Sequence, residues 1–537
     1  MPVASIPLMT RRADLLARLA RPHHYDLAIV GGGATGLGVA LDAAARGLSV
    51  VLVESHDFAK GTSSRATKLV HGGVRYLAQG NIALVREALH ERTTLLANAP
   101  HLAQALPFVM PSYLWWERPF YGLGLKVYDA LAGKAGLGKT EFLSRAETLR
   151  HLPTAQAEGL RGGVKYWDGQ FDDARLALAL ARTAAAQGAL LVNYCAAVDL
   201  VYHQGKVAGL SCRDQLTGKA YTLSAACVVN AAGVWVDELR QRDGAVTATP
   251  GSPATPALVA PSQGVHLVVG REFLDSDVAL MVPKTADGRV LFAVPWLGKV
   301  IVGTTDTPRA DLAREPLPFP QEIDFILNES ARYLVRAPRR ADVKSVWVGL
   351  RPLVKPPEEA GAKTNTKGLS REHTVLVSQS GLVTVTGGKW TTYRAMAEDV
   401  LKTCGDAGLI PRPAAGVTTR LRLVGAQTGN PGVHSVVASP GPQSYGDEQM
   451  WLLTMPGADV ALGGGLTEGM VRFAARHEYA ITVEDVLARR ARLLFLDAAL
   501  AASLAVRVGE IVGQETGLAP QVDEFIQLTH QYLCKLV

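Results

Sequence analysis

Between Tyr25 and Glu54 the hydrophobic positions fall into three blocks. A short apolar run, Leu27, Ala28, Ile29 and Val30, is followed by an alanine-rich stretch and then by a second apolar run that ends on Glu54. This order predicts strand, turn, helix and strand. Gly31, Gly33 and Gly36 stand at the first junction in G-x-G-x-x-G spacing. The first permits a tight turn, the second lets backbone approach a pyrophosphate, and the third lets helix pack on strand. The helix start then offers unpaired N–H groups and a partial positive charge to phosphates. Glu54 can accept hydrogen bonds from ribose hydroxyls, so a dinucleotide site is expected here.

Ahead of this unit, Leu15, Leu16 and Leu19 recur at helical spacing beside Arg11, Arg12, Arg18 and Arg21. A short helix packed on the first domain is expected, with a membrane-surface helix as the alternative. Ile82 to His101 has the pattern of an amphipathic helix, and an aromatic segment with Trp115, Trp116, Phe120 and Tyr121 follows. YWDGQFDDARLALALARTAAAQGALLVNY reads as an acidic turn, a helix and a strand, and AACVVNAAGVWVDEL as a strand ending in Asn230-Ala-Ala-Gly233. Residues 243–262, rich in Pro, Ala and Thr, read as loop or linker. GVHLVVG, RVLFAVPW and KVIVGTTDTP then alternate as strands of an antiparallel sheet. KPPEEAGAKTNTKG reads as a surface loop, and the segment after it returns to strand, glycine turn and helix, with Lys389 at the turn. A Pro/Gly/Ser-rich run between Pro411 and Gln449 marks a boundary, beyond which the period is helical.

Two glycine-rich stretches are decoys. Gly133 to Thr140, GKAGLGKT, matches the phosphate-binding loop of nucleotide triphosphatases, but the residues before it read as helix. Ser144 followed by Glu147 forms a capping box that starts the next helix later. GGGLTEG near the C-terminus lacks a preceding strand and reads as loop and cap.

The chain has 537 residues, too many for one core, so two or three domains are expected. Its net charge of +6 is diffuse; it suits anionic ligands or an acidic membrane surface and gives no argument for nucleic acid. Five cysteines, Cys195, Cys212, Cys227, Cys404 and Cys534, are widely spaced without C-x-x-C, which supports neither a disulfide framework nor a zinc or iron–sulfur site. A reducing compartment is expected. Asp42 interrupts the longest apolar candidate for a bilayer span.

The segment after Glu54, HDFAKGTSSRATKLVHGGVRYLAQGN, is dense in hydroxyl, basic and glycine residues. Thr62, Ser63 and Ser64 can cap a helix or bond cofactor phosphates, and His71-Gly72-Gly73 permits close approach to a flat ligand. Together with the opening fingerprint, TSSRATKLVHGGVRYL resembles the FAD-dependent glycerol-3-phosphate dehydrogenases, membrane-associated flavoenzymes. DDARL, the N-A-A-G-x-W segment, residues 303–307 and GGKWTTYR at 387–394 extend the resemblance over nearly the whole chain. It implies that Gly387, Gly388 and the residues after them, Thr391 included, lie against the flavin. It also implies that Arg351 and Arg371 hold the substrate phosphate with Arg75 and Tyr76 nearby, and that Lys389 meets the substrate or the reduced flavin. Gln263 and Trp390 depart from the family's usual residues.

The expected architecture is α/β. Residues 20–100, 165–245 and 370–405 would build a discontinuous Rossmann-like FAD-binding domain, 101–164 and 246–369 an antiparallel-sheet substrate domain, and 406–537 an all-α C-terminal domain. The expected reaction is oxidation of sn-glycerol 3-phosphate to dihydroxyacetone phosphate by hydride transfer to FAD. His266, a neutral imidazole near neutral pH, is the candidate base, with Lys389 as a second. A membrane quinone would take the electrons, with the protein held peripherally on the inner face of the cytoplasmic membrane. An oxidase of similar substrates, an amine oxidase on the same fold, and a flavin protein acting on nucleic acid are the other readings. The last is disfavoured because the cations sit in separate segments rather than on one basic, aromatic-studded face. A homo-oligomer stays open.

Overall fold

The structure, a computed structural model, describes residues 6–73, 81–247, 254–285, 288–355, 372–426 and 435–534. The opening pattern folds as expected into the strand His24–Val30, the helix Ala34–Ala45 and the strand Val50–Val53. His24–Val30 is central: it runs parallel to Val50–Val53 on one side and to Ala220–Asn230 on the other. Leu190–Val192 extends the sheet at one edge, and Val383–Gly387 and His373–Val377 at the other. Leu27, Ala28, Ile29 and Val50 to Val53 are all buried. They need to be apolar throughout, since a parallel sheet is covered on both faces. The helices Ala34–Ala45, Asp173–Ala186 and Tyr393–Asp406 share that core.

Among the described residues the second sheet has ten strands, and its central run is Val259–Val269, Lys299–Gly303, Leu291–Trp296, Ala279–Val282, Ala103–Ser112 and Gly162–Phe171. All its pairings are antiparallel except that of Ala279–Val282 with Ala103–Ser112. Ser345–Val354 joins it along ten residues of Val259–Val269. Two expectations change here. The segment read as an acidic turn is the end of the strand Gly162–Phe171, so the expected boundary at residues 164/165 cuts through a strand. Its acid is internal because Asp168 is paired with Arg92 at 2.9 Å and accepts from the Tyr128 hydroxyl. The expected linker 243–262 is helix up to Thr247 and strand from Val259, because the strand partner Ser345–Val354 satisfies its backbone.

The helix Arg12–Leu19 packs on the first sheet. Leu15 and Leu19 are buried, and Arg12 bonds the carbonyls of Asn193 and Tyr194 and the carboxylate of Asp214. Its apolar face and one of its cations are therefore already used. The capping box at Ser144 and Glu147 forms, with the helix Glu117–Ala132 ahead of GKAGLGKT. The C-terminal region is helical, with Glu468–His477, Ala498–Thr516 and Val522–Tyr532 around one core. GGGLTEG turns a two-stranded hairpin, Ala461–Gly463 with Leu466–Thr467, and Thr467 caps the helix after it. The long helical period is broken at 478–484, where Asp485 accepts from the amides of Ile481 and Thr482 and starts a new segment.

This C-terminal unit is joined to the first sheet by buried charge. Asp57 is fully buried and accepts from Arg489 and Arg490, the latter also bonding Oδ1 at 2.9 Å. Burial would raise its pKa, yet the two guanidinium groups hold the carboxyl below the usual carboxylate range. Removing one partner of a buried ion pair leaves uncompensated charge and costs about 3–5 kcal/mol. Asp57→Asn is accordingly expected to lower stability by about that amount and to make the region around Arg489 and Arg490 more open to limited proteolysis. A melting temperature and cleavage pattern like those of the parent protein would contradict the role given to this junction.

Candidate functional site

Between the two sheets lies a cavity of about 610 Å3. One end is built by the glycine turn. Gly31 has φ 111°, and a Cβ there would lie 2.6 Å from the Ala231 carbonyl oxygen; at Gly36 it would lie 1.9 Å from that of Gly31. No side chain fits either place, and the helix start is therefore drawn against the ends of two strands. Gly33 and Thr35 line the cavity at that start. Ser63 Oγ accepts from the Ala34 amide at 2.9 Å and so caps the helix from another segment. Glu54 lines the cavity at the tip of its strand, with its carboxylate held by the amides of Gly32 at 2.6 Å and His56 at 2.9 Å and by the Ser55 hydroxyl.

Thr62 and His71 continue this wall, and Gly388 and Thr391 close it from the far side of the chain. Each is fixed by a neighbour. Thr62 Oγ1 donates to the Leu350 carbonyl at 2.6 Å, Trp390 Nε1 to the Ser63 carbonyl at 2.9 Å, and Thr391 Oγ1 to the His71 carbonyl at 3.4 Å. Gly36, Ser64 and Gly72 do not line the cavity. Gly36 is consumed by helix–strand packing and Ser64 is buried behind the wall. Gly72 lies beneath the wall, donating its amide to the Tyr128 hydroxyl at 2.9 Å. A long cavity with a helix start and an acid at one end and glycine backbone at the other fits FAD, whose pyrophosphate and flat ring need those surfaces.

The other wall comes from the antiparallel sheet. Arg351, on Ser345–Val354, donates to Asp306 Oδ1 at 3.2 Å, to Thr304 Oγ1 at 3.3 Å and to the Thr305 carbonyl at 3.0 Å. His266, Lys389, Arg351 and Asp306 all line the cavity, with Phe108, Tyr166, Met281 and Phe292 as its apolar part. Arg75, Tyr76 and Arg371 lie outside the described residues. Gln263 is fully buried off the cavity, bonding Glu322 at 2.5 Å and Arg309. The KVIVGTTDTP stretch reads as a strand in sequence, and although residues 303–307 carry the family resemblance, no local signal ties the 304–306 turn to Arg351. Thr67 and Lys68 carry no local signal either, since their partners His266 and Asp173 lie 199 and 105 residues away.

His266 is 2 % exposed and stacked on Trp347 with ring centroids 4.1 Å apart. Its Nε2 lies 2.9 Å from Thr67 Oγ1, and Nδ1 has no partner among the described residues. Burial, with the nearby cations of Lys68 and Arg351, pushes its pKa well below the usual histidine value. Lys68 is fully buried between Asp173 at 2.6 Å and the Trp347 ring at 4.4 Å, and burial pulls its pKa down to about 7. A histidine neutral when folded but free to protonate when unfolded makes the unfolded state bind more protons below about pH 6.5. Stability therefore falls on acidification, and His266 contributes up to about 1.4 kcal/mol per pH unit to that fall. His266→Asn is expected to flatten the stability loss between about pH 6.5 and pH 5.5 in denaturant titrations. An equally steep loss in parent and variant would contradict a neutral, buried His266.

Residues 26–394 match the model of the FAD dependent oxidoreductase family, and residues 416–522 that of the C-terminal domain of alpha-glycerophosphate oxidase. The mitochondrial glycerol-3-phosphate dehydrogenase of Bos taurus is 40% identical over 94% of this chain and 72% of its own. That of Arabidopsis thaliana is 38% identical over 96% of this chain and 86% of its own. The glycerol-3-phosphate dehydrogenase of Bacillus halodurans, solved in complex with FAD, superimposes with a TM-score of 0.76 at 28% identity, covering 98% of each chain. The L-alpha-glycerophosphate oxidase of Mycoplasma pneumoniae, 17% identical with a TM-score of 0.54, covers 71% of this chain and 94% of its own and shares the fold. FAD is the cofactor, and the chain belongs to the FAD-dependent glycerol-3-phosphate dehydrogenase family.

Proposed function

We propose that the protein oxidises sn-glycerol 3-phosphate to dihydroxyacetone phosphate and that a membrane quinone, met at an anionic bilayer surface, takes the electrons. The position of Arg351 carries the substrate assignment. Its guanidinium stands on the cavity wall, half-buried, already oriented by Asp306 and the 304–305 turn. A planar fork prepaid in entropy within a partly dry site suits a phosphate dianion. Lys389 supports the same reading from the opposite wall, and Arg371, Arg75 and Tyr76 remain further candidates from the sequence. When bound, FAD supplies a hydride acceptor for carbon 2 of the substrate.

The chain has to take the hydroxyl proton. His266 suits that role because it lines the cavity in its neutral form and has the Thr67 hydroxyl beside Nε2. Lys68 disfavours a lasting imidazolium there, which favours onward loss of the proton. The apolar wall of Phe108, Tyr166 and Phe292 keeps water from competing and strengthens each charge interaction.

The docked N-terminal helix is poorly placed to hold a bilayer, and another surface supports the membrane reading better. On the turn and helix ending at Ala132, Trp115 is 77 % exposed and Phe120 and Leu123 are each 66 % exposed. Trp116, Val127 and Phe142 extend the patch, with the Arg118 and Lys126 cations over the Phe142 ring. Aromatic and apolar side chains bordered by cations suit the boundary of an anionic bilayer. The same helix buries Leu125 and Tyr128 inward, and Tyr128 meets Gly72 and the cavity residue Asp168. No helix among the described residues is long and apolar enough to cross a membrane.

Arg351→Ala should cost about 3 kcal/mol of transition-state binding, roughly a hundredfold in kcat/KM for glycerol 3-phosphate, with FAD retained. Unchanged kinetics would remove Arg351 from the site. The protein is expected to sediment with anionic vesicles at low salt, less so at high salt, and to reduce a soluble quinone analogue well above oxygen. Trp115→Ser with Phe120→Ser and Leu123→Ser should leave it in the supernatant. Protein that stays in the supernatant at low salt while forming stoichiometric peroxide would overturn the quinone reading in favour of an oxidase.

A further inference from the structure

Past the short strand Thr307–Pro308, the connection to Phe319 leaves the substrate sheet and crosses to the cofactor sheet, where two anchors fix it. The Leu312 carbonyl accepts from Trp235 Nε1 at 3.0 Å. Three residues on, the Glu315 carboxylate accepts from Arg65 at 2.7 Å and from the Tyr532 hydroxyl at 2.9 Å, with the Lys60 ammonium at 3.2 Å. Between the anchors, Arg314 lays its guanidinium on the Trp235 ring, 3.8 Å from the centroid. Trp235 itself is set against the cofactor loop, since a Cβ on Gly61 would come within 3.1 Å of its ring.

Arg314 lines the cavity at the end that holds Gly33, Glu54, His56 and Glu238. No hydrogen bond or ion pair among the described residues uses its guanidinium. Glu54 acts on it through space but does not pair with it, because the amides of Gly32 and His56 and the Ser55 hydroxyl already occupy that carboxylate. A fork-shaped cation is thus held over the dinucleotide end of the cavity by a tryptophan, between the Leu312 carbonyl anchor and the Glu315 carboxylate anchor, with its donors unused. We propose that Arg314 is a cofactor-binding residue supplied by the substrate sheet, clamping the ribose–pyrophosphate half of FAD against the glycine turn.

The chemistry matches from both sides. The helix start at Gly33 and Thr35 offers amides to one face of a pyrophosphate, and a guanidinium on the opposite face can meet two of its anionic oxygens at once. Stacking on Trp235 restrains the side chain before the cofactor arrives, so less freedom is lost on binding. The strap then makes FAD retention depend on the substrate domain as well as on the Rossmann-like sheet.

The inference rests on FAD being the cofactor, and its test separates the two. FAD-free parent protein and the variants Arg314→Ala, Arg314→Gln and Arg314→Lys are titrated with FAD, following flavin fluorescence at low and high salt, with thermal melts of the FAD-free forms alongside. Arg314→Ala and Arg314→Gln are expected to weaken FAD binding about tenfold or more at low salt, with Arg314→Lys recovering part of the loss. The gap to the parent should narrow as salt rises, while the FAD-free melts coincide. Variants that bind FAD within about twofold of the parent would overturn the role of Arg314. A parent protein that takes up no FAD would overturn the cofactor assignment itself.

Discussion

A buried charge persists only beside a partner, and the loop between Glu54 and Val70 is held by several such pairs. Lys68 meets Asp173 on the helix behind the loop, and Arg492 from the C-terminal region meets Asp173 at 3.0 Å. Both cations also donate to the Ser64 carbonyl, at 2.8 and 2.9 Å. Asp57 at the start of the loop takes Arg489 and Arg490. The loop that carries Thr62, Ser63, Thr67 and His71 to the cavity is therefore pinned between two domains. Without those counterions its buried lysine and aspartate would pull toward water, and the cavity wall would go with them.

The same burial shapes the chemistry of the site. His266 stays neutral because it is dry and faces cations, while the Arg351 guanidinium is held in place by Asp306 and the turn beside it. The cavity thus presents a neutral imidazole and fixed cations to whatever binds. A doubly charged phosphate gains from such a field, whereas a neutral or cationic substrate would leave the guanidinium and ammonium groups poorly matched.

What could be read in advance follows the range of the interactions. The glycine turn, the Ser144 capping box and the alternating strands after Gly264 depend on neighbours in sequence, and all three were legible. Gly162–Phe171 was not, because an aspartate in a strand looks like a turn until Arg92, 76 residues away, pairs with it. Arg12 looked available for lipid until Asp214 took it. The C-terminal region carried no chemistry in its pattern, since the acids that tie Arg489, Arg490 and Arg492 to the rest of the chain lie 319 to 433 residues distant. Single-residue roles such as that of Arg314 depend on where a strap lands, which no local period encodes.

Oxidation in this protein requires the cavity to bring glycerol 3-phosphate and FAD together. The most direct measurement is the absorbance of purified, FAD-loaded protein during anaerobic addition of glycerol 3-phosphate. The account predicts that the oxidised flavin band bleaches with glycerol 3-phosphate and far less with glycerol, which lacks the phosphate that Arg351 would hold. A band that persists with glycerol 3-phosphate, or bleaches equally with glycerol, would contradict it.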